Sequence, residues 1–333
     1  MNSREIIMGI LDGSVAGPVP WVEIETRDEL IARTYGLKDD AVDWPTRVRY
    51  AKEFGQDAVG FSHWERFGCD VINNGDVLGF SARIKDQNDM DKFLMPKDID
   101  KERLIENVKK AKEAIGDSGL ALFVAHLLCL DPVSMDMGFE NFCVSLYTNL
   151  DFVKELMERY VEYYSKLDEL YSSLPEIDFI WIGEDIAFNS GTYIRPEMFM
   201  EIVYPYFKQI TSHIKKPWIY HSDGNYAAVL DDLLKLGMSA IHPMQPEAMD
   251  IREVKRNYGD RVALVGNVNL NTLSLSSEAD VEEEVRGLMD DLHKGGNYML
   301  SSSNSLAAWL KPDNVIAMGR AKREWNREHG WEF

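Results

Sequence analysis

The chain is short of basic residues: 36 Lys and Arg stand against 56 Asp and Glu, a formal net charge of −20. Nucleic-acid affinity is driven largely by Lys and Arg neutralising phosphates, so this balance argues against a DNA or RNA partner. An acidic surface instead favours solubility, or steers a basic partner. Cysteine is scarce as well. Cys69, Cys129 and Cys143 form no CxxC pair and no disulfide ladder, which makes the reduced cytoplasm the expected compartment. No run approaches ~18 consecutive apolar residues, so no membrane span is expected. Met1 to Ile10 lacks the long apolar core of a signal peptide. No GxGxxG follows a strand, which removes support for an open dinucleotide-binding sheet, and no GxSxG elbow marks a serine hydrolase. Low-complexity segments and long linkers are missing too.

Hydrophobic residues make up 45% of the 333 positions, enough for a full core. A barrel of alternating strands and helices often exceeds ~250 residues as one domain, and residues 1–333 are read as a single unit. The second half alternates short apolar runs with amphipathic runs, the pattern of repeated β-α units. Strands are expected at 178–183, 217–220, 240–244, 262–266 and 298–300, each followed by a helix. The helix at 196–214 carries Pro205, which should kink it. In the first half, 58–62 and 120–126 read as strands and 151–170 as a long helix, while 142–147 fits a strand or a helix start. Cys69 to Ile84 alternates around Asn73-Asn74-Gly75-Asp76, a hairpin signal read as an insertion over a barrel mouth. The expected fold is a (β/α)8 TIM barrel of parallel strands, with reactive residues on the loops after the strands.

Polar residues gather at those strand ends. Glu184 and Asp185 end one strand, His221 and Asp223 the next, His242 the third, Asn267 and Asn269 the fourth, and Ser302 to Asn304 the fifth. Five consecutive strands ending in this way mark a candidate site. His221-Ser222-Asp223 is the sharpest spot. Residues i and i+2 leaving a strand point the same way, so an imidazole and a carboxylate can converge on one ion, with Glu184 from the neighbouring strand as a third ligand. Three protein ligands with an open position is the plan of a catalytic zinc site. The alternative is that His221 and Asp223 only bond to each other or to nearby loops.

Several pieces between Ile182 and Asn304 resemble the uroporphyrinogen-decarboxylase-like superfamily: GEDIAFNSGTYIRPEMFMEIVYPYFKQI, IYHSDGN, AIHPMQP, RVALVGNVNL and YMLSSSNS, in the expected order. True porphyrinogen decarboxylases carry an N-terminal Arg-Gln-Ala-Gly-Arg segment that grips substrate carboxylates; this chain has none. The other large branch transfers methyl groups to or from the cobalt of a corrinoid carrier protein and uses a barrel-bound zinc. Its thiol-methylating members resemble one another in a His-x-Cys pair plus a later Cys. Here His221 matches the His, Asp223 stands where the first Cys would be, and Ser301 to Ser303 stand where the second would be.

That resemblance implies an enzyme using Zn2+ and a cobalamin-type corrinoid supplied by a partner protein. Carboxylate and imidazole ligands leave the ion harder and more electrophilic than thiolates do, which suits an oxygen leaving group. The expected reaction is therefore demethylation of a small methylated donor, best a methyl ether and in particular an aryl one. Glu184, His221 and Asp223 are the expected metal and catalytic residues, with Asp185, Glu201 and Ser302 as alternate ligands. Asn267, Asn269, Asn304 and His242 are expected to contact substrate, and Phe61, Trp64 and Tyr220 to form an aromatic wall or pack in the core. A uroporphyrinogen-type decarboxylase and a non-catalytic barrel that binds a small ligand or corrinoid are the competing readings.

Overall fold

The computed structural model describes residues 1–13, 17–73 and 78–331. Its strands are β1 (Ala58–His63), β2 (Cys69–Asn73), β3 (Leu78–Ala82), β4 (Ala121–His126), β5 (Phe179–Gly183), β6 (Ala187–Phe188), β7 (Gly191–Thr192), β8 (Trp218–His221), β9 (Ala240–His242), β10 (Ala263–Val265) and β11 (Tyr298–Met299). Seven of them form one curled parallel sheet in the order β1-β4-β5-β8-β9-β10-β11. All five strands expected after residue 175 belong to it, as do both barrel-like strands expected earlier. β2 and β3 pair antiparallel with Cys69 opposite Ala82. The turn expected at residues 74–76 lies outside the described residues.

Each crossover between parallel strands runs through helix, which covers the outer face of the sheet. The strands are accordingly apolar up to their C-terminal ends, and every residue of β4 and β5 is buried. Side chains alternate between two cores. Ala121, Phe123, Ala125, Phe179, Trp181, Ile219, Ala240, Ala263, Val265 and Met299 pack together inside the curl. Their neighbours Leu122, Val124, Ile180, Ile182, Tyr220, Ile241 and Leu264 pack outward against helices. The helix Ser3–Leu11 delivers Ile6, Ile7, Ile10 and Leu11 to the inner core. It is started by an Asn2–Glu5 capping box and tied to the sheet where Arg4 N–H donates to Gly119 O at 2.8 Å.

An extended segment that the hydrophobic pattern did not reveal runs between the two edge strands. Val22 N–H donates to Leu300 O at 3.0 Å, Leu300 N–H to Pro20 O at 2.8 Å, and Asp57 N–H to Trp21 O at 2.8 Å. Trp21 N–H also donates to the Asp57 carboxylate at 2.7 Å, and Lys322 pairs with the same buried acid. Val22 and Ile24 join the inner core from this segment.

The expected long helices are present at Leu150–Ser173, Glu278–Leu292 and Pro312–Glu328. Residues 142–147 fall within a helix, Phe139–Thr148. The helix containing Pro205 is interrupted as anticipated: a short turn at Pro196–Met198, a widened π turn at Phe199–Val203, then Tyr204–Thr211. Proline has no N–H to return to residue 201, and the turn before it widens. No helix among the described residues is long and apolar enough to cross a membrane.

Candidate functional site

Strand register decides which side chains reach the cavity at the C-terminal ends of the strands. In β5 the inward residues are Phe179 and Trp181, and the same parity continues through Gly183 to Asp185. In β8 it runs from Ile219 through His221 to Asp223. The register sets Gly183 beside His221 and His221 beside His242. Asp185, His221 and Asp223 therefore meet, and one ligand atom from each lies within 4.8 Å of the others. His221 Nε2 stands 3.6 Å from Asp185 Oδ1 and 3.9 Å from Asp223 Oδ1.

The carboxylates are held from behind. Asp223 N–H donates to Asp185 Oδ1 at 2.8 Å, and Asn304 Nδ2 donates to Asp223 Oδ2 at 2.6 Å. Asp223 Oδ1 is buried and accepts nothing. Burial raises the pKa of Asp185, and the Asp223 charge adds to that rise. Burial likewise raises Asp223, opposed by His221 and by the Asn304 hydrogen bond. Two neighbouring acids kept from ionising freely, an imidazole between them and an orphaned carboxylate oxygen form a donor set that a divalent cation satisfies.

Asp185 and His221 of the cluster line a cavity of about 460 Å³, together with Ile24, Trp64, Phe80, Leu127, Arg27 and Arg66. Phe80 comes from the β2–β3 hairpin, so the expected insertion contributes a side chain to the lining of this cavity. Arg66 lies over the Phe80 ring, 4.5 Å from its centroid, and pairs with Asp131. Arg27 lies 3.5 Å from Glu25 and 3.4 Å from Glu29.

Five expected contact residues fall outside this cavity. Phe61 faces outward from β1, edge-on to Trp44 and Tyr171, and lines an adjoining cavity of about 240 Å³. Tyr220 is fully buried on the outer side, its hydroxyl donating to Glu184 O at 3.1 Å. Asn269 caps the helix Leu270–Leu275 and bonds Glu247. Asn267 is buried and donates to Met244 O. His242 sits wholly buried behind His221, the two Nδ1 atoms 2.7 Å apart. Trp64 and Asn304 do line the cavity.

The expected ligand Glu184 is not part of the cluster. It has outward parity, and its carboxylate accepts from Leu128 N at 2.8 Å, Leu130 N at 2.6 Å and Asp131 N at 2.9 Å, at the start of the helix Leu130–Met137. It serves as a cap. Of the alternates, Asp185 takes the place expected of Glu184, Glu201 is exposed on the widened turn, and Ser302 is turned to Glu23, its hydroxyl donating at 2.7 Å. Glu23, Arg27, Arg66, Phe80 and Asp131 were not anticipated. The alternation of Val22-Glu23-Ile24-Glu25 was the available signal for the first of them.

Residues 61–325 match the uroporphyrinogen decarboxylase (URO-D) family. The chain belongs to this family. No curated protein matches it. Among solved structures, a methyltransferase from Methanosarcina mazei superposes with a TM-score of 0.78 at 16% identity, covering 97% of this chain and 99% of its own. A B12-independent methionine synthase from Shewanella sp. W3-18-1, in complex with selenomethionine, superposes with a TM-score of 0.57 at 12% identity, covering 95% and 97%. At these identities the likeness is one of fold.

Proposed function

We propose that this URO-D family chain is a cytoplasmic methyltransferase. It would move a methyl group from a small methyl ether to the cobalt of a corrinoid on a carrier protein, with zinc at Asp185, His221 and Asp223. The ring of strands is read as closed, the segment at Pro20–Glu23 serving as the eighth stave. The observation that carries the reading is the convergence of one imidazole and two carboxylates, one with an orphaned oxygen, beside a partly aromatic cavity that Asp185 and His221 line. Of the two solved structures named above, one is a methyltransferase and the other a methionine synthase, which supports the reaction class.

Zinc bound to this nitrogen–oxygen set supplies Lewis acidity toward a departing oxygen. The protein's own residues do the rest. Asn304 fixes the rotation of the Asp223 carboxylate. Trp64 and Phe80 offer flat apolar walls to an aryl or alkyl body and exclude water from the reacting carbon. The mouth lies at the strand ends, where the cobalt of a carrier can reach the methyl group. A decarboxylase for polycarboxylates is less well supported, because Arg27 and Arg66, the cations lining this cavity, already face acids.

The test is direct. Purified chain should hold about one zinc, lost in His221→Ala and in the double variant Asp185→Asn, Asp223→Asn. With a reduced corrinoid carrier and a panel of methyl ethers, methylcobalamin absorbance should rise in a zinc-dependent way. A chain that binds no zinc after anaerobic preparation, or a broad panel without turnover, overturns the reading.

A further inference from the structure

A histidine that ligates a metal through one nitrogen usually gives the hydrogen on its other nitrogen to a carboxylate, a backbone carbonyl or water, which fixes both tautomer and orientation. His221 does none of these. The partner of its Nδ1 is another imidazole nitrogen, His242 Nδ1, at 2.7 Å. Two imidazoles facing through like atoms can share one hydrogen in either sense. Something further must choose the sense, and that choice decides whether His221 Nε2 offers a lone pair or a hydrogen to the acids beside it.

The far side of His242 supplies the choice. His242 Nε2 lies 3.2 Å from Ser302 O and 3.2 Å from Ser301 Oγ. A carbonyl oxygen only accepts, so His242 Nε2 carries the hydrogen. The ring is fully buried, and the partners it meets are a carbonyl, a hydroxyl and another imidazole rather than an acid, so it stays neutral and its Nδ1 is a lone pair. His221 must then donate through Nδ1, which leaves its Nε2 as the lone pair facing Asp185 and Asp223.

The Ser301–Ser302 step is in turn held by an acid from the other end of the chain. Glu23 is buried and accepts four hydrogen bonds: Trp21 Nε1 at 2.5 Å, Ser302 N at 2.9 Å, Ser302 Oγ at 2.7 Å and Ser301 Oγ at 3.2 Å. Because Ser301 Oγ gives its hydrogen to Glu23, its lone pairs are free to face His242. All four partners are donors, which suits the ionised carboxylate, an acceptor only and the form present above about pH 7. Glu23 does not line the cavity beside the cluster and touches none of the three clustered residues.

We propose that Glu23 is a positioning residue for the metal centre. Through Ser301 and Ser302 it fixes His242, and His242 holds His221 in the tautomer whose Nε2 lone pair is turned to the ion. This rests on the reading of Asp185, His221 and Asp223 as that centre. It also gives the buried Glu23, His242 and Ser301 a task that a purely apolar core could not perform.

The experiment is 15N NMR of the histidine rings in metal-free protein, followed by zinc titration against a competing chelator. In the wild type, His221 should carry its hydrogen on Nδ1 and His242 on Nε2. His242→Phe removes the acceptor while keeping a ring, and Glu23→Gln places an amide donor against four donors. In both, the Nε2-hydrogen form of His221 should appear and zinc affinity should fall roughly 10- to 100-fold. Should Glu23→Gln fail to fold, the double variant Ser301→Ala, Ser302→Ala removes only hydroxyls and tests the same link. A wild-type His221 with its hydrogen on Nε2, or variants that keep both tautomer and affinity, overturns the proposal. A wild type that binds no zinc overturns the metal reading instead, and the tautomers in metal-free protein still decide the positioning role.

Discussion

Asn304 Nδ2 lies 2.6 Å from Asp223 Oδ2, and this single contact from a distant strand end sets which carboxylate oxygen of Asp223 is left buried without a partner. Removing it in Asn304→Ala frees the carboxylate to rotate. Zinc affinity should drop about 10-fold, the lower end of the range for losing a residue that orients a ligand. Thermal stability should change by no more than about 1 kcal/mol, one hydrogen bond's net worth. Chelator competition and thermal unfolding on the same preparation check both halves. An unchanged affinity would mean that Asp223 needs no such restraint.

The neighbours Glu184 and Asp185 should separate cleanly by substitution. Glu184 receives three backbone N–H groups and lies outside the cluster, so Glu184→Gln turns one acceptor into a donor against them. The expected cost is roughly 1–3 kcal/mol of stability, with zinc per folded chain retained. Asp185→Asn should do the reverse. The metal is lost, and stability holds or rises because one of two adjacent acids, each destabilised by burial, is gone. Metal analysis beside urea unfolding gives the comparison, and zinc loss in Glu184→Gln would restore that residue to the ligand set.

The contrast between these two residues also measures what the sequence could disclose. The parallel strands and the gathering of polar residues at their ends were legible, because buried strands read as apolar runs and the chain changes character where each one stops. His221 and Asp223 were legible as a pair through the i, i+2 rule. Glu184 was misassigned although the same rule applies to it. Counting in twos from Phe179 and Trp181 through Gly183 lands on Asp185, and a strand that is apolar on both faces hides that count. Tyr220 and Phe61 were misplaced for the same reason, since an aromatic beside the site in sequence can face either core. The Trp21–Glu23 segment escaped because its partners lie far along the chain, at Asp57 and Leu300–Ser302. Its short alternating pattern carries no sign of that pairing.

Glu23 should also leave a mark on stability as a function of pH. Burial lifts its carboxyl from about 4.5 to about 7, against the pull of its four donors. The folded chain therefore holds a proton between these values that the unfolded chain has released. The favourable contribution is complete below about 4.5 and is lost as pH rises through 7. Glu23→Gln cannot lose it. Urea unfolding from pH 4.5 to 8 should show the wild type losing stability relative to Glu23→Gln, by at most about 3 kcal/mol across the window. Parallel curves for the two proteins would place the Glu23 pKa near its ordinary value.

Trp64 crosses the inner face at Gly183, where an added Cβ would lie 2.9 Å from Trp64 Cη2 and Cζ3. Two ring atoms at the far end of a side chain can move, so Gly183→Ala should fold at a cost of about 1–3 kcal/mol, the range for modest overpacking. The indole must shift, however, and it is a wall of the cavity that holds Asp185 and His221. Zinc content should stay at the wild-type level, because Gly183 contributes no ligand and the Asp185–Asp223 contact does not pass through it. What changes is the room above the ion. Across methyl ethers of increasing bulk, kcat/KM should fall most steeply for the largest, with the loss residing in KM. A uniform loss across the series would point to a displaced ligand rather than a displaced wall. A gain for bulky donors would show that the indole swings out of the cavity instead of into it.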